Sequence, residues 1–285
     1  MTQLAPYTWI KIGGPAEHLV TVTSLPSLIQ QVTEAQKNHL PYRVLGSGSN
    51  VLISDSGLLG LTIINRAQSI QALPTHLLVS SGTLMNQLVQ YTLVHSLAGL
   101  THFLGLPGTV GGAIFNNSHY QEHLFSDVVI SVTSLSESGQ RINRIKADCA
   151  FGYDTSIFQS NHEVILEAEL HLAPGDAPTL QAEAQAALKD RQETQPLDLP
   201  SSGCIFKNPP PPSPSAGYLI DHLGLKGTRV GGAEVSKVHA NFIVNAGSAT
   251  ARDVITLINQ IQTRVTAAYG LELEREIFLL EGPKE

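Results

Sequence analysis

The first chemical signal in the sequence is a glycine-rich stretch, GLPGTVGGAIFNN, which runs from residue 105 to residue 117. Its four glycines fall within eight residues: Gly105, Gly108, Gly111 and Gly112. Each glycine adds backbone entropy that folding must remove, so this density is costly unless the backbone approaches something closely. Successive backbone N–H groups can form an anion-binding concavity. The stretch therefore predicts a phosphate-binding loop, and a tight turn between strands is the alternative.

A second loop, GSGSN at residues 46–50, offers backbone amides and two serine hydroxyls to a phosphate group. No Gly-Lys-Ser/Thr follows it, so it is not a P-loop. Val51 stands where the third glycine of a dinucleotide fingerprint would be, and an ordinary hairpin explains the loop equally well. Because the two loops lie on successive α+β segments, we infer a ligand with two phosphates, held between two small domains.

The segment GCIFKN brings a thiol, an amine and an amide close together, at Cys204, Lys207 and Asn208. A lone cysteine is usually a buried small hydrophobic residue, whereas a neighbouring ammonium group favours the reactive thiolate. Both interpretations stay open from the residues alone.

The C-terminal segment LELEREIFLL places Glu274 and Glu276 among apolar residues. The alternation indicates a strand, with one acidic side chain facing a site or with all of them solvated. Taken alone, the pattern favours a solvated acidic edge strand.

Composition excludes several classes of protein. With 42% hydrophobic and 14% charged residues the chain can build real cores. A net charge of −7 argues against nucleic acid as the main partner. No apolar run reaches the roughly 18 residues of a membrane span, and no secretion signal is visible. The only cysteines, Cys149 and Cys204, have no metal-ligand spacing. We expect a reduced, cytoplasmic protein without a metal.

Apolar periodicity predicts the elements that position these groups. The predicted strands are 42–45, 51–53, 61–65, 77–80, 128–135, 164–170 and 242–245. The predicted helices are 26–39, 84 to about 99, 179–193, 216–224 and 250–270. A Thr250/Asp253 capping box starts the last helix. Proline and glycine content indicates a linker at 171–178 and an extended surface loop at 209–214.

Six blocks of the sequence resemble the bacterial enolpyruvyl-UDP-N-acetylglucosamine reductase family, flavoenzymes of peptidoglycan precursor synthesis. They occur in the same order and span nearly the whole chain. The blocks are YTWIKIGGPAE, RVLGSGSNVLI, GLPGTVGGAIFNN, SSGCIFKNP, AGYLIDHLGLKGTRVGGAEVSKVHANFIVN and LELEREIFLLEG. At 285 residues the chain is similar to the short form of that family.

The resemblance implies an α+β fold of the vanillyl-alcohol-oxidase type. Two small α+β domains, residues 1–65 and 66–173, would bind FAD, and a C-terminal α+β domain, residues 177–285, would bind the UDP-sugar. NADPH would reduce non-covalently bound FAD and be replaced by UDP-N-acetylglucosamine enolpyruvate, which becomes UDP-N-acetylmuramate. We expect a monomer. The alternatives are a flavin oxidoreductase of the same fold with another substrate, and a relative that has lost catalysis.

The resemblance also assigns roles to residues of this sequence. Cys204 would be the proton donor, where most members have serine, and Glu276 matches a catalytic glutamate. Lys207 and Asn208 would contact the UDP diphosphate, and Tyr153 would contact the substrate. The residues implied to bind FAD come from both glycine loops: Gly46, Ser47, Gly48, Ser49, Asn50, Gly108, Thr109, Gly111, Gly112 and Asn116.

Two segments depart from the family pattern. The Tyr-Arg-x-Ser motif of the family reads YDTS at residues 153–156, so Asp154 replaces a catalytic arginine. Residues 116–120 read NNSHY, where the family usually has Asn-Ala-Gly-Ala-Tyr. Two like charges about 4 Å apart repel by roughly 4 kcal/mol at an effective dielectric of 20, so ionised Asp154 cannot easily face a substrate carboxylate. We expect Asp154 to turn away and Lys207 to oppose the developing charge; a slow enzyme is the alternative.

Overall fold

The computed structural model describes residues 1–282, which form an α+β structure. The α-helices in this part of the chain are α1 (Leu25–Lys37), α2 (Met85–Val94), α3 (Val110–Asn116), α4 (Ala177–Thr194), α5 (Ala216–His222) and α6 (Ala251–Tyr269). Short 3-10 helices lie at Ala5–Tyr7, Thr101–Phe103, Phe125–Val128, Lys146–Cys149 and Ile157–Gln159. Among residues 1–282, no helix combines the length and the hydropathy needed to cross a membrane.

The strands are mostly short. In chain order they are β1 (Thr2–Gln3), β2 (Pro15–Val22), β3 (Tyr42–Leu45), β4 (Val51–Ile53), β5 (Leu58–Asn65), β6 (Ile70–Ala72), β7 (Leu77–Ser80), β8 (Leu97–Ala98), β9 (His119–Tyr120), β10 (His123–Leu124), β11 (Val129–Leu135), β12 (Arg141–Ile145), β13 (Val164–Leu170), β14 (Ala173–Pro174), β15 (Ser201–Cys204), β16 (Arg229–Val230), β17 (Ala233–Val235), β18 (Phe242–Asn245) and β19 (Phe278–Leu280).

The described chain divides into two compact units. Unit 1 comprises residues 1–18, residues 48–60 and the chain from residue 192 onwards. Unit 2 comprises residues 19–47 and 61–191. The divisions at 18/19 and 60/61 fall inside β2 and β5. The three-domain division implied by the resemblance stays a prediction.

Unit 2 is built on a five-stranded antiparallel sheet with the order β12-β11-β13-β7-β6. Its main core joins this sheet to α2 and α3, through buried residues such as Leu88, Ile114 and Val132. A second core packs α1 against the parallel pair β3–β5, with Leu28, Val32 and Ile63 at its centre. The apolar positions of α1 recur three and four residues apart, which is why one face of this helix is buried.

Unit 1 contains an antiparallel sheet of order β15-β18-β17-β16 and a parallel pair, β4 with β19. The apolar stripe of α6 packs into its core. As predicted, Thr250 and Asp253 cap this helix reciprocally, and Gly270 closes it in the left-handed conformation. The Asp55 carboxylate also accepts hydrogen bonds from the first two helical amides, at 2.8 and 3.0 Å. A negative group there complements the helix dipole.

The glycine-rich stretch differs from its prediction as a loop, because α3 begins inside it at Val110. The Thr109 hydroxyl accepts from the Gly112 amide at 3.3 Å and caps the helix. Gly111 packs against Ser81, whose Cβ would lie 2.9 Å from an added Cβ. One of the glycines is thus required by packing within the protein rather than by a ligand.

Candidate functional site

The segment that follows β15 carries Cys204 and is fixed by one buried amide side chain. Asn241, which is 3% exposed, accepts a hydrogen bond from the Phe206 amide at 3.0 Å and donates one to the Phe206 carbonyl at 2.7 Å. The Asn241 carbonyl also accepts from the Ile205 amide at 2.8 Å. Both residues after Cys204 are therefore locked in place, while Cys204 itself stays half-buried. The sequence analysis missed Asn241, whose only signal is an amide within the apolar run that leads into β18.

A second segment pairs with the first and carries Glu276. The Glu276 amide donates to the Ile205 carbonyl at 2.8 Å, and the Lys207 amide donates to the Glu274 carbonyl at 2.9 Å. This antiparallel pairing places the chain around Glu276 beside the residue that follows Cys204. The predicted C-terminal strand is shorter than expected, since β19 starts only at Phe278.

Asn50, assigned to FAD by the resemblance, supports the Glu276 segment. Its side-chain amide donates to the Glu276 carbonyl at 3.4 Å, and its own carbonyl accepts from the Phe278 amide at 3.1 Å. The backbone of Glu276 is thus held at both of its polar groups, because its amide donates to Ile205 and its carbonyl accepts from the Asn50 side chain.

The two residues assigned to the diphosphate already have partners. The Lys207 ammonium lies 2.7 Å from a carboxylate oxygen of Glu274, whose side chain is 73% exposed. The Asn208 side-chain oxygen accepts from the Ala216 amide at 3.0 Å and so ties the loop to the start of α5. Because the Glu274 partner is exposed, an ion pair of this kind is worth about 1 kcal/mol or less, and the Lys207 side chain itself is 19% exposed.

The glycines of the GSGSN loop serve close approaches within the protein. A Cβ at Gly46 would lie 2.4 Å from the Thr109 hydroxyl, in unit 2. A Cβ at Gly48 would lie 2.2 Å from the Tyr7 carbonyl, in unit 1. Gly48 also has φ +67°, which favours glycine. The close approach at Gly46 brings this loop against Thr109, the N-cap of α3.

The amides at the start of α3 are less available than the sequence suggested. Val110 donates to the Thr83 carbonyl at 2.9 Å, Gly111 to the Ser81 carbonyl at 2.8 Å, and Gly112 to Thr109. An anion cradle made of these three amides would have to break existing hydrogen bonds.

Other groups in unit 2 fit a polar cofactor such as FAD. The Ser47 hydroxyl and the Asn116 side-chain oxygen are buried and have no hydrogen-bond partner in the described chain. Buried polar atoms are costly without partners, so each points to a ligand that supplies one. Gly112 is exposed, and a Cβ there would meet nothing closer than 3.6 Å. These features offer a bound group one hydroxyl, one acceptor oxygen and open space at Gly112.

Asp154 is buried and has a partner in unit 2. Its side chain is 6% exposed, and one carboxylate oxygen lies 3.1 Å from Nδ1 of His119. The His119 ring in turn contacts the Tyr153 ring, with centroids 4.8 Å apart. Both departures from the family pattern are thus the two partners of one contact. Sequence reasoning noted each separately and could not connect them.

The second cysteine has a different environment from Cys204. Cys149 is fully buried in unit 2, and its thiol contacts the Ile145 carbonyl at 3.5 Å. Burial raises the pKa of this thiol to about 11, so it stays protonated and unreactive. Residues 1–282 contain no cluster of three His, Cys, Asp or Glu side chains that could hold a metal ion.

Comparison with known proteins gives relatives over nearly the whole chain. It is 38% identical over 278 residues to the UDP-N-acetylenolpyruvoylglucosamine reductase of Prochlorococcus marinus, covering 96% of this chain and 94% of that protein. It is 35% identical over 283 residues to UDP-N-acetylenolpyruvoylglucosamine reductase 2 of Bacillus cereus, covering 99% and 92%. The crystal structure of the reductase from Thermus caldophilus superposes with a TM-score of 0.85 at 35% identity, over 98% of this chain and 97% of that one.

Family models match two separate parts of the sequence. Residues 16–143 match the FAD binding domain, and residues 195–280 match the C-terminal domain of UDP-N-acetylenolpyruvoylglucosamine reductase. The fold and these matches define a flavoprotein oxidoreductase that uses FAD. More particularly, the chain belongs to the UDP-N-acetylenolpyruvoylglucosamine reductase family.

Proposed function

We propose that this chain catalyses the NADPH-dependent reduction of UDP-N-acetylglucosamine enolpyruvate to UDP-N-acetylmuramate, a step in peptidoglycan precursor synthesis. The observation that carries the proposal is the backbone pairing of the Cys204 and Glu276 segments, at Ile205 and Glu276. Both segments lie within residues 195–280, which match the C-terminal domain of this family. Relatives that bear the name of this activity cover the chain almost completely.

Residues of both glycine loops are proposed to hold FAD without a covalent link. The Ser47 hydroxyl and the Asn116 oxygen would gain the partners they lack, and Gly112 would allow close approach of the backbone. Bound FAD would supply two-electron redox chemistry between NADPH and the vinyl group of the substrate.

Cys204 is proposed to deliver the proton. Reduction at the vinyl carbon leaves negative charge on the neighbouring carbon, beside the substrate carboxylate, and a placed acid must quench it. A thiol can do this, because its ordinary pKa near 8.5 keeps it protonated at neutral pH. The hydrogen bonds of Asn241 to Phe206 and Ile205 would keep the thiol at a fixed position.

Glu276 is proposed to oppose the negative charge as a protonated acid. Its backbone is fixed by Ile205 and Asn50, so the position of its carboxyl group depends only on side-chain rotation. Lys207 and Asn208 would bind the diphosphate, and the exposed ring of Tyr153 would contact the substrate. We further propose a cytoplasmic location, which the two cysteines, Cys149 and Cys204, support because neither forms a disulfide. We also propose a monomer, and sedimentation of the purified protein measures its size.

One anaerobic experiment tests the proposed function. The purified protein should be yellow and release free FAD on denaturation. NADPH should bleach the flavin absorbance, and UDP-N-acetylglucosamine enolpyruvate should then restore it with formation of UDP-N-acetylmuramate. Bleaching by NADPH without recolouring by the sugar nucleotide would point to another substrate. A colourless protein that cannot be reconstituted with FAD would contradict the proposal altogether.

A further inference from the structure

Strand β15, in unit 1, contains an extra residue just before Cys204. Ser201 lies opposite Val244 on β18, and Cys204 lies opposite Phe242. Three steps along β15 therefore match two steps along β18, which defines a β-bulge between Ser201 and Cys204. Without the extra residue, Gly203 would lie opposite Phe242, and Cys204 would face the other side of the sheet. The bulge thus decides which face of the sheet Cys204 occupies.

Hydrogen bonds pin the strand register on both sides of the bulge. Before it, the Asn245 amide donates to the Pro200 carbonyl at 2.8 Å. After it, the Ile205 amide donates to the Asn241 carbonyl at 2.8 Å, and the Asn241 side chain holds Phe206. The two registers differ by one residue, so the bulge stays in place as long as both sets of hydrogen bonds are intact.

Gly203 supplies the backbone conformation that this bulge needs. Its φ is +81°, a left-handed value that glycine adopts freely and most other residues resist. A glycine at positive φ is characteristic of one common type of bulge. Apart from its chain neighbours, a Cβ at Gly203 would meet no heavy atom of residues 1–282 within 4 Å. The backbone angle, and not crowding, therefore favours glycine at this position.

The side chain of Ser202 does not hold the bulge. Its hydroxyl is buried and has no hydrogen-bond partner in the described chain. A buried polar atom without a partner lowers stability, so this segment keeps the bulge at a cost. Bulges are frequent next to active sites, where they turn a side chain towards the reacting groups.

We propose that Gly203 is a positioning residue, whose bulge turns the Cys204 thiol to the face of β15 from which it delivers the proton. The inference rests on the proposed function, in which Cys204 is the proton donor. It adds a second constraint to that from Asn241: the hydrogen bonds of Asn241 fix the backbone after Cys204, and the bulge selects the face. A misplacement of about 1 Å can cost about 10²-fold in rate, so the direction of the thiol bears directly on proton delivery.

Two half-reactions, measured separately by stopped-flow absorbance, test the role of Gly203. Gly203→Ala should slow reoxidation of the reduced flavin by UDP-N-acetylglucosamine enolpyruvate by about tenfold or more, because alanine resists the positive φ. Gly203→Asn should keep this rate within about threefold of wild type, since asparagine tolerates the conformation. Reduction by NADPH needs no proton from Cys204 and should change by less than about twofold in both variants.

The matched control is Gly270→Ala. Gly270 also lies in unit 1, has φ +68° and would likewise offer a Cβ no neighbour within 4 Å among the described residues. The control variant therefore carries a similar backbone strain at a distance from Cys204 in the sequence, and both half-reactions should keep their wild-type rates.

Alkylation of the purified protein by iodoacetamide reports on the thiol without any substrate. Cys149 is fully buried, and burial raises its pKa to about 11, so only Cys204 should react in the folded protein. Peptide mass spectrometry checks the modified residue. The alkylation rate should change by about fivefold or more in Gly203→Ala, because a thiol on the other face differs in exposure. It should stay within about twofold of wild type in Gly203→Asn, Ser202→Ala and Gly270→Ala.

Several results would overturn the inference. One is unchanged alkylation and reoxidation in Gly203→Ala when its stability in urea falls as much as that of Gly270→Ala. Another is an equal loss in both half-reactions with unchanged alkylation, which would indicate a merely structural role. If the alanine variant does not fold, Gly203→Asn and Gly203→Ser supply the same comparison, since serine is disfavoured at positive φ. If the wild-type flavin is not reoxidised by the sugar nucleotide, the proposed function fails, but the alkylation rates still decide whether the bulge directs the thiol.

Discussion

The Cys204–Glu276 region of unit 1 and the His119–Asp154 region of unit 2 are built in different ways. In the first, hydrogen bonds from the backbone amides of Ile205, Phe206 and Glu276 set the geometry of the two segments that carry the proposed residues. In the second, the defining contact is itself between two side chains, those of His119 and Asp154. Where backbone hydrogen bonds set the geometry, one side chain can be replaced, such as serine by cysteine, without changing those hydrogen bonds. Where a contact joins two side chains, as in His119 and Asp154, a change of one residue leaves the other without its partner.

The largest effect of a single substitution on the reaction is expected at Cys204. Cys204→Ala should slow flavin reoxidation by the enolpyruvyl sugar by about 10²–10⁴-fold, since a general acid contributes that much. Reduction by NADPH should barely change, because it needs no proton from this group. Cys204→Ser should keep substantial activity, as the backbone that positions the side chain is unaltered. Normal turnover of the alanine variant would reduce Cys204 to a packing residue.

A substitution of Asn241 tests whether its hydrogen bonds to Phe206 fix the segment that follows Cys204. Asn241→Leu leaves the Phe206 amide and carbonyl buried without partners, at about 1–3 kcal/mol each. We therefore expect the free energy of unfolding to fall by about 2–5 kcal/mol in urea titrations. Asn259→Leu is the matched control: this exposed residue of α6 should change stability by about 0.5 kcal/mol or less. A similarly small change at Asn241 would show that pairing with Glu276 suffices to fix the segment.

Glu276 separates side-chain function from backbone function at one residue. Glu276→Gln keeps the hydrogen bonds of its amide and carbonyl but removes the acid, so reoxidation by the sugar should fall by about 10²-fold. The FAD content, measured as absorbance per protein, should stay at the wild-type level. Parallel losses of FAD and activity would mark this side chain as structural.

The smallest effect is expected at Lys207. Lys207→Met removes one point charge that already pairs with Glu274, so the KM for the sugar nucleotide should rise by about tenfold while kcat changes little. Glu274→Gln frees the ammonium group and should lower this KM. A kcat loss of about 10²-fold would instead assign to Lys207 the role of opposing the developing charge.

Much of the fold could be predicted because its signals are local. The stripe and capping box of α6 and the alternation of β13 are contained within single segments, and the structure has both where the sequence put them. The start of α3 is not predicted by the sequence, because the Thr109 hydroxyl caps a helix that contains two glycines, and glycine is a poor helix former.

Parts of the candidate site could not be predicted because their signals are not local. The contact of His119 with Asp154 joins residues 35 positions apart, and the contacts of Asn241 with Phe206 do the same. The periodicity of apolar residues, which predicts helices and strands, carries no information about either contact. The family resemblance supplied Cys204 and Glu276 as candidates, but only the structure shows Ile205 pairing with Glu276.

The contact between Asn50 and Glu276 has a consequence for the order in which the protein forms during translation. It joins residues 226 positions apart, and the parallel pairing of β4 with β19 spans a similar interval. All residues of unit 2 have been synthesised once residue 191 is added, whereas β4 of unit 1 must wait for its partner β19. Such long-range closure is slow, and the waiting segments expose apolar surface. The segment that bears Glu276 is therefore assembled late in translation. A nascent chain that has not yet reached β19 lacks this part of the candidate site.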